Sequence, residues 1–248
     1  MRGRQLLFGL LTFFLLWQVF AWVLNSPVLP PPLLVLHTFG TEIAGGNLTR
    51  HFLVSAWRIS AGILVALIFG VPAGLVLGQS RLLNRLFSPL IYLTYPIPKV
   101  VLLPVFLLLL GVGDISKIAL LALILFFQIM VVVRDEAAAI RPELITSVRS
   151  LGAGRLALFR FVYLPATIPA VFTALRISVG TAVAVLFFTE SFATTSGLGY
   201  YILIQSWGRV AYPQMYAGVV ALSLLGLALY YLADWLEQRL ARWRFLPP

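Results

Sequence analysis

Apolar residues in this chain come as long, nearly uncharged runs, at about 5–24, 54–78, 88–111, 116–137, 166–190 and 212–235. A hydrocarbon core of about 30 Å takes roughly 20 apolar residues per helix, so each run crosses a bilayer or nearly does. Strand-like alternation is absent from the sequence, which disfavours a membrane barrel. The pattern predicts an all-α, polytopic membrane protein with six transmembrane helices and a single domain over residues 1–248.

The interruptions carry the remaining information. After the first run, residues 25–51 hold Pro27, Pro30, Pro31, Pro32 and the pair Gly45-Gly46, which predicts an extended outer loop. Within it, Leu33 to Ile43 suits a short amphipathic helix lying on the membrane interface. The second run places Gly62, Ala66, Gly70, Gly74 and Gly78 on one helical stripe, fit for a close crossing inside the subunit or for a dimer interface. Arg58, near its outer end, is expected to snorkel to the headgroups.

The third run is broken by Pro89, Pro96, Pro98 and Pro104, with Lys99 between two pieces too short to cross alone. Irregular backbone at membrane depth is tolerated where it is buried or lines a wet cavity. Lys99 therefore reads either as a pathway residue or as the end of a kinked helix reaching an interface. The fourth run carries Gln128; the fifth carries Arg176, Phe188 and Glu190. Arg176 and Glu190 lie about 21 Å apart along a helix, so each needs its own partner or water. Tyr95, Lys99, Gln128, Arg176, Phe188 and Glu190 are the expected pathway residues. Outside follows Ser196-Gly197-Leu198-Gly199-Tyr200-Tyr201, a glycine-punctuated lead into a short aromatic helix. The sixth run ends in Asp234, Glu237, Arg239, Arg242 and Arg244, as a helix leaving the membrane does.

Composition excludes an ordinary soluble domain: 61% of residues are hydrophobic and 10% charged. The formal charge of +10 is a topology signal. Arg2, Arg4, Arg81, Arg85, Arg134, Arg141, Arg149, Arg155, Arg160, Arg239, Arg242 and Arg244 share one side, against Arg50, Lys117 and Arg209 on the other. The positive-inside rule then puts both termini in the cytoplasm of a multi-pass protein, its cations facing membrane lipids, with no nucleic-acid partner expected. Cysteine is absent, which excludes disulfides and thiolate metal sites. The run from Leu6 to Leu24 exceeds a signal-peptide core and lacks a small-x-small cleavage site, so residues 1–24 are expected to be a retained helix.

Between the fourth and fifth runs, residues 134–165 hold five arginines in a basic insert. Pro142 at a first helical position, apolar Leu144, Ile145 and Val148, and Gly152 as a C′ hinge predict a helix and a turn. A second short helix follows, with Leu156, Phe159 and Val162 as its apolar stripe and Pro165 as its end. Two short helices joined directly to a span make a lever.

In this insert the chain resembles the permeases of binding-protein-dependent ABC importers, in the nitrate, sulfonate, taurine and bicarbonate branch. The family loop reads Glu-Ala-Ala, three residues, Gly, nine residues, Ile, one residue, Leu-Pro. Gly152, Val162, Leu164 and Pro165 fall in that register. The literal Glu136-Ala137-Ala138 does not, since its glycine and proline would fall on Pro142 and Arg155. In the correct register Glu-Ala-Ala is replaced by Thr146-Ser147-Val148, and Glu143, one turn earlier, is the acid placed to substitute. Shorter matches lie at Ser80 to Leu82, Gly111-Val112-Gly113, Pro142-Glu143-Leu144-Ile145 and Ser196 to Tyr200.

The resemblance implies a type I importer permease in a bacterial inner membrane: two permease chains, a homodimer, enclosing a pathway. Two cytoplasmic ATPase subunits bind ATP and Mg and grip the 142–165 coupling loops. An external solute-binding protein delivers a small solute. Glu143, Thr146, Ser147, Arg149, Ser150, Leu151, Gly152, Ala153, Arg155 and Pro165 are the implied coupling residues. The chain has no G-x-x-x-x-G-K-[ST] phosphate loop, so it is not expected to be an enzyme or to hold a cofactor. The branch implies a small organic anion such as a sulfonate or taurine. An aromatic, vitamin-precursor solute is the alternative, suited by Tyr92, Tyr95, Tyr200 and Tyr201. An ion-coupled secondary transporter would show inverted repeats and paired intramembrane acids, and the sequence shows neither. A membrane enzyme would need a catalytic constellation, yet His37 and His51 both fall in the outer loop region, where lone histidines are expected to be solvated.

Overall fold

Proline and glycine set most element boundaries. The computed structural model describes residues 3–245; Arg2 lies outside them, as do the side chains of Arg4 and Arg244. The regular elements among the described residues are helices joined by short turns: α1 Gly3–Leu24, α2 Pro32–Ala44, α3 Asn47–Gln79, α4 Arg81–Thr94, α5 Leu103–Leu110, α6 Asp114–Ala138, α7 Pro142–Ser150, α8 Arg155–Leu158, α9 Leu164–Glu190, α10 Leu198–Tyr200 and α11 Tyr212–Leu240. Helix α2 opens on Pro32, where a missing N–H costs nothing, and occupies the segment expected for the interfacial helix. Ser80 caps α4, its hydroxyl accepting from Leu83 N at 3.3 Å.

Among the described residues, five helices are long and apolar enough to cross a membrane. The sixth span is the broken one: α4 and the helical stretch Lys99–Leu110 meet at an angle of 81°. Pro96 and Pro98 sit in that bend, where they remove donors and bias the preceding residues away from helix.

The chain divides into two units. One comprises Met1–Ala56 and Phe187–Leu225. Here Trp17 of α1 donates Nε1–H to the Pro30 carbonyl at 3.1 Å and packs against Tyr216 of α11. Tyr201, fully buried with Leu48 and Leu198, lies over Gly218, where a Cβ would fall 2.8 Å from its ring. The second unit comprises Trp57–Leu186 and Gly226–Pro248. Its core is the crossing of α3 and α6. Gly62 faces Leu121, Gly70 faces Ile129, Gly74 faces Met130 and Val133, and Gly78 faces Ala137. A methyl on Gly74 would sit 2.7 Å from the Met130 carbonyl oxygen, so only hydrogen fits. The small-residue stripe is thus an internal crossing, resolving the two readings left open by its spacing.

Four expectations need correction. Arg58 does not snorkel: it is 3% exposed, and its Nε and Nη2 donate to Asp114 Oδ1 at 2.9 and 2.7 Å. The glycine crossing brings α3 and α6 so close that Arg58 meets the acid at the start of α6, a position the helix dipole also favours. His51 is not a solvated loop residue but a buried member of α3, its Nδ1 accepting from Gly197 N at 3.1 Å; His37 is exposed. Pro165 does not end a helix. Residues Arg155–Glu190 form one continuous span-length helix, because Phe159–Tyr163 widens into a π turn in which Leu164 N–H bonds to the Phe159 carbonyl. That widening relieves the clash and missing bond Pro165 would otherwise cause. The same turn rotates the stripe: Leu158, Val162 and Tyr163 are buried, while Leu156 is 80% exposed and Phe159 also faces out.

Candidate functional site

Helix α7 starts on Pro142 and buries none of its residues. Leu151 closes it, and Gly152 takes φ +80°, donating its N–H to the Arg149 carbonyl at 2.9 Å. This left-handed residue turns the chain within two positions, so that α8 starts at Arg155. Glu143, Thr146, Ser147, Arg149, Ser150, Leu151, Gly152 and Arg155 are all exposed, whereas Ala153 and Pro165 are half-buried. Leu151 at 86% exposure, with Leu144, Leu156 and Phe161, makes this an apolar surface set among Arg141, Arg149, Arg155 and Arg160. An uncovered patch of this kind marks an interaction site. The turn is coupled mechanically to the membrane, since α8, the π turn and α9 run without a break to Glu190.

The bend of the third span builds a cavity of about 310 Å³. Three expected pathway residues meet there: Tyr95, Lys99 and Gln128, with Pro96, Pro98, Phe127 and Val185 among the other walls. Breaking the helix at Thr94 leaves the last carbonyls of α4 without intrahelical donors. Lys99 Nζ donates to one of them, Thr94 O at 2.8 Å, and to Tyr95 O just beyond the helix at 3.3 Å, and stands 4.5 Å from the Phe127 ring centroid. An ammonium group has three N–H bonds, so these two carbonyls take only two of them. Gln128 donates Nε2–H to Thr181 Oγ1 at 3.2 Å, while its buried Oε1 has no partner among the described residues. A cation and an unspent acceptor thus face one small space.

The other expected pathway residues lie elsewhere. Arg176, within the second unit, donates Nη1–H to Asp234 Oδ1 at 3.3 Å and to Glu237 Oε2. Glu237 is 2% exposed, so this is a largely buried ion pair tying α9 to α11. Glu190 and Phe188 belong to the first unit. Glu190 is fully buried and accepts from Ser55 Oγ at 2.7 Å and from Gly199 N at 3.1 Å. Ser55 Oγ also accepts from Leu198 N at 2.7 Å. With the His51 bond to Gly197, the whole Gly197–Gly199 turn is clasped to α3 by side chains. Phe188 packs on Phe192 with centroids 4.9 Å apart. Sequence reasoning missed Ser55, His51, Asp114, Asp234 and Glu237 as partners. The usable signal was the unexplained charge of Arg58, Arg176 and Glu190, each of which demanded a polar counterpart.

Residues 59–242 match the family model described as binding-protein-dependent transport system inner membrane component. The chain is 32% identical over 235 residues to the taurine transport system permease protein TauC of Escherichia coli (strain K12), covering 92% of this chain and 84% of TauC. It is 27% identical over 232 residues to the putative aliphatic sulfonates transport permease protein SsuC of Bacillus subtilis (strain 168), covering 92% and 83%. The formylaminopyrimidine transport permease protein ThiX of Halalkalibacterium halodurans is 28% identical over 234 residues, covering 92% and 91%. Among solved structures, an inward-facing MetNI methionine ABC transporter chain superposes with a TM-score of 0.65 at 21% identity, covering 78% of this chain and 95% of that one. That likeness is one of fold.

Proposed function

The chain belongs to the family of binding-protein-dependent transport system inner membrane components and is the membrane-spanning permease of an ABC importer, and from that premise we propose that it imports a small organic anion, a sulfonate or taurine. An external binding protein hands over the solute, two cytoplasmic ATPase subunits supply ATP hydrolysis, and two copies of this chain enclose the pathway. Both termini and residues 134–165 face the cytoplasm, where the arginines of the insert meet the positive-inside rule.

The observation that carries this reading is the exposed α7–Gly152–α8 turn joined rigidly to a span-length helix. ATPase closure pulls the turn, with Leu151 and Ala153 seated against the ATPase and Glu143, Thr146, Ser147, Ser150, Arg149 and Arg155 as polar contacts around them. Because a helix resists bending, the pull reaches Glu190 at the far end. The solute passes the cavity at Lys99, whose remaining N–H meets the anionic head while Gln128 Oε1 meets a donor. Tyr95 and Phe127 would equally stack on a flat ring, and the ThiX similarity favours that second reading.

Replacing Gly152 by Val puts a β-branched residue where φ is +80°, at a cost of about 1–2 kcal/mol confined to an exposed turn. The expected result in proteoliposomes is ATPase assembly retained and uptake lost; full uptake by Gly152→Val would remove the rigid-turn mechanism. The solute class is tested by thermal melting of the binding protein with taurine, alkanesulfonates and aminopyrimidines, the true ligand raising its midpoint.

A further inference from the structure

Helix α9 ends at Glu190, and the next helical residues are 198–209. The covalent route between them is irregular, with Ala193 at φ +46° and Gly197 at φ +112°. Irregular chain yields where a helix does not, so residues 191–197 are a poor conductor of a push or a pull.

A shorter route runs through side chains of the first unit. Residues 198–209 start after Gly197, which has no side chain to cap the N–H groups left open at a helix start. Two other helices supply the caps. His51 and Ser55 stand four apart on one face of α3. His51 Nδ1 accepts from Gly197 N at 3.1 Å, and Ser55 Oγ accepts from Leu198 N at 2.7 Å. Glu190 Oε2 accepts the third N–H, that of Gly199, at 3.1 Å. The Ser55 hydroxyl then donates to the same Glu190 oxygen at 2.7 Å, tying α3, α9 and the turn into one knot. Ser55 and Glu190 are fully buried and His51 is 5% exposed, so water does not compete for these bonds. Packing holds the same joint. A Cβ on Gly197 would overlap the Glu190 carboxyl group, and one on Gly199 would lie 2.5 Å from the Phe187 carbonyl oxygen. The turn therefore rests directly on the last turn of α9.

We propose that His51, Ser55 and Glu190 form the outer joint of the permease: they are positioning residues that carry the stroke of α9 into residues 198–209. This role rests on the lever mechanism proposed above and adds where its stroke is delivered. It also accounts for the glycines of Gly197-Leu198-Gly199, since a side chain at either would push the turn off α9.

The test uses the complete transporter, with ATPase subunits and binding protein, in proteoliposomes. ATP hydrolysis and uptake of labelled taurine are measured side by side. Ser55→Ala removes the bridging hydroxyl with little change in volume, His51→Leu removes the acceptor for Gly197 N–H, and Gly199→Ala lifts the turn off α9. Each should lower uptake about tenfold, the scale of one lost buried hydrogen bond, while ATP hydrolysis stays within about twofold of wild type. The ATP used per solute therefore rises, which a loss of stability alone would not cause. His51→Asn, whose Oδ1 stands near the place of Nδ1, should restore coupling. Ser55→Ala added to Gly199→Ala should change little further, because both break one joint. Uptake and hydrolysis falling in proportion, with a lower melting temperature, would reduce the knot to a structural clasp and overturn the proposal. So would wild-type uptake in Ser55→Ala, or His51→Asn as uncoupled as His51→Leu. Should Gly199→Ala fail to assemble, Ser55→Ala and His51→Leu decide the outcome. Failure of the lever mechanism itself looks different: Gly152→Val, run alongside, would transport at the wild-type rate whatever stands at positions 51, 55 and 199.

Discussion

Arg58, Arg176 and Glu190 in the apolar part of this protein each meet a partner distant in sequence. Arg176 reaches Asp234 and Glu237, which lie 58 and 61 residues on. Arg176→Met removes the cation from a largely buried ion pair with Glu237, 2% exposed, a loss of about 3–5 kcal/mol for breaking such a pair. The expected readout is a clear fall in melting temperature of the purified permease, whereas an unchanged midpoint would show the pair to be energetically idle. Lys99 is a different case, held by two backbone carbonyls and an aromatic face rather than by an acid. Lys99→Met is expected to leave folding intact and cut solute uptake by about tenfold or more, the cost of one charge-assisted contact. Uptake at the wild-type rate would exclude Lys99 from the pathway. That these charges needed partners was legible in the sequence; which partners they took was not. Nothing in local periodicity links Arg58 to Asp114 or His51 to Gly197, because those meetings are set by how helices cross.

At the scale of elements, apolar runs and prolines foretold more. Every span was visible as a run, and the break of the third was visible in Pro96, Pro98 and the stranded Lys99. The α3–α6 crossing was half legible: a four-residue spacing of small side chains announces a close approach, but only coordinates say to what. Gly74→Leu would force α3 away from Met130 and Val133, overpacking at about 1–3 kcal/mol or more since the obstacle is backbone. A lower melting temperature and weakened uptake are expected, and a variant as stable as wild type would contradict so tight a crossing. Pro165 misled for a physical reason. A proline near a helix start reads as a terminator, yet the preceding π turn removes the clash and lets α8 run on into α9. On the proposed function this continuity matters, because a helix ended at Pro165 would be a poor lever and a continuous one is a good one.

At the scale of the whole molecule, the proposed function assigns the entry of force to the exposed basic turn and contact with the solute to the Lys99 cavity. The chain contains no cysteine, so a single one placed at Leu151, 86% exposed, is a unique reporter of that turn. Membrane-impermeant maleimide should label Leu151→Cys in inside-out vesicles and not in right-side-out vesicles, and assembly with the ATPase subunits should block the labelling. Labelling from the outside, or labelling undiminished in the assembled transporter, would contradict the proposal that this turn is the cytoplasmic handle of the permease.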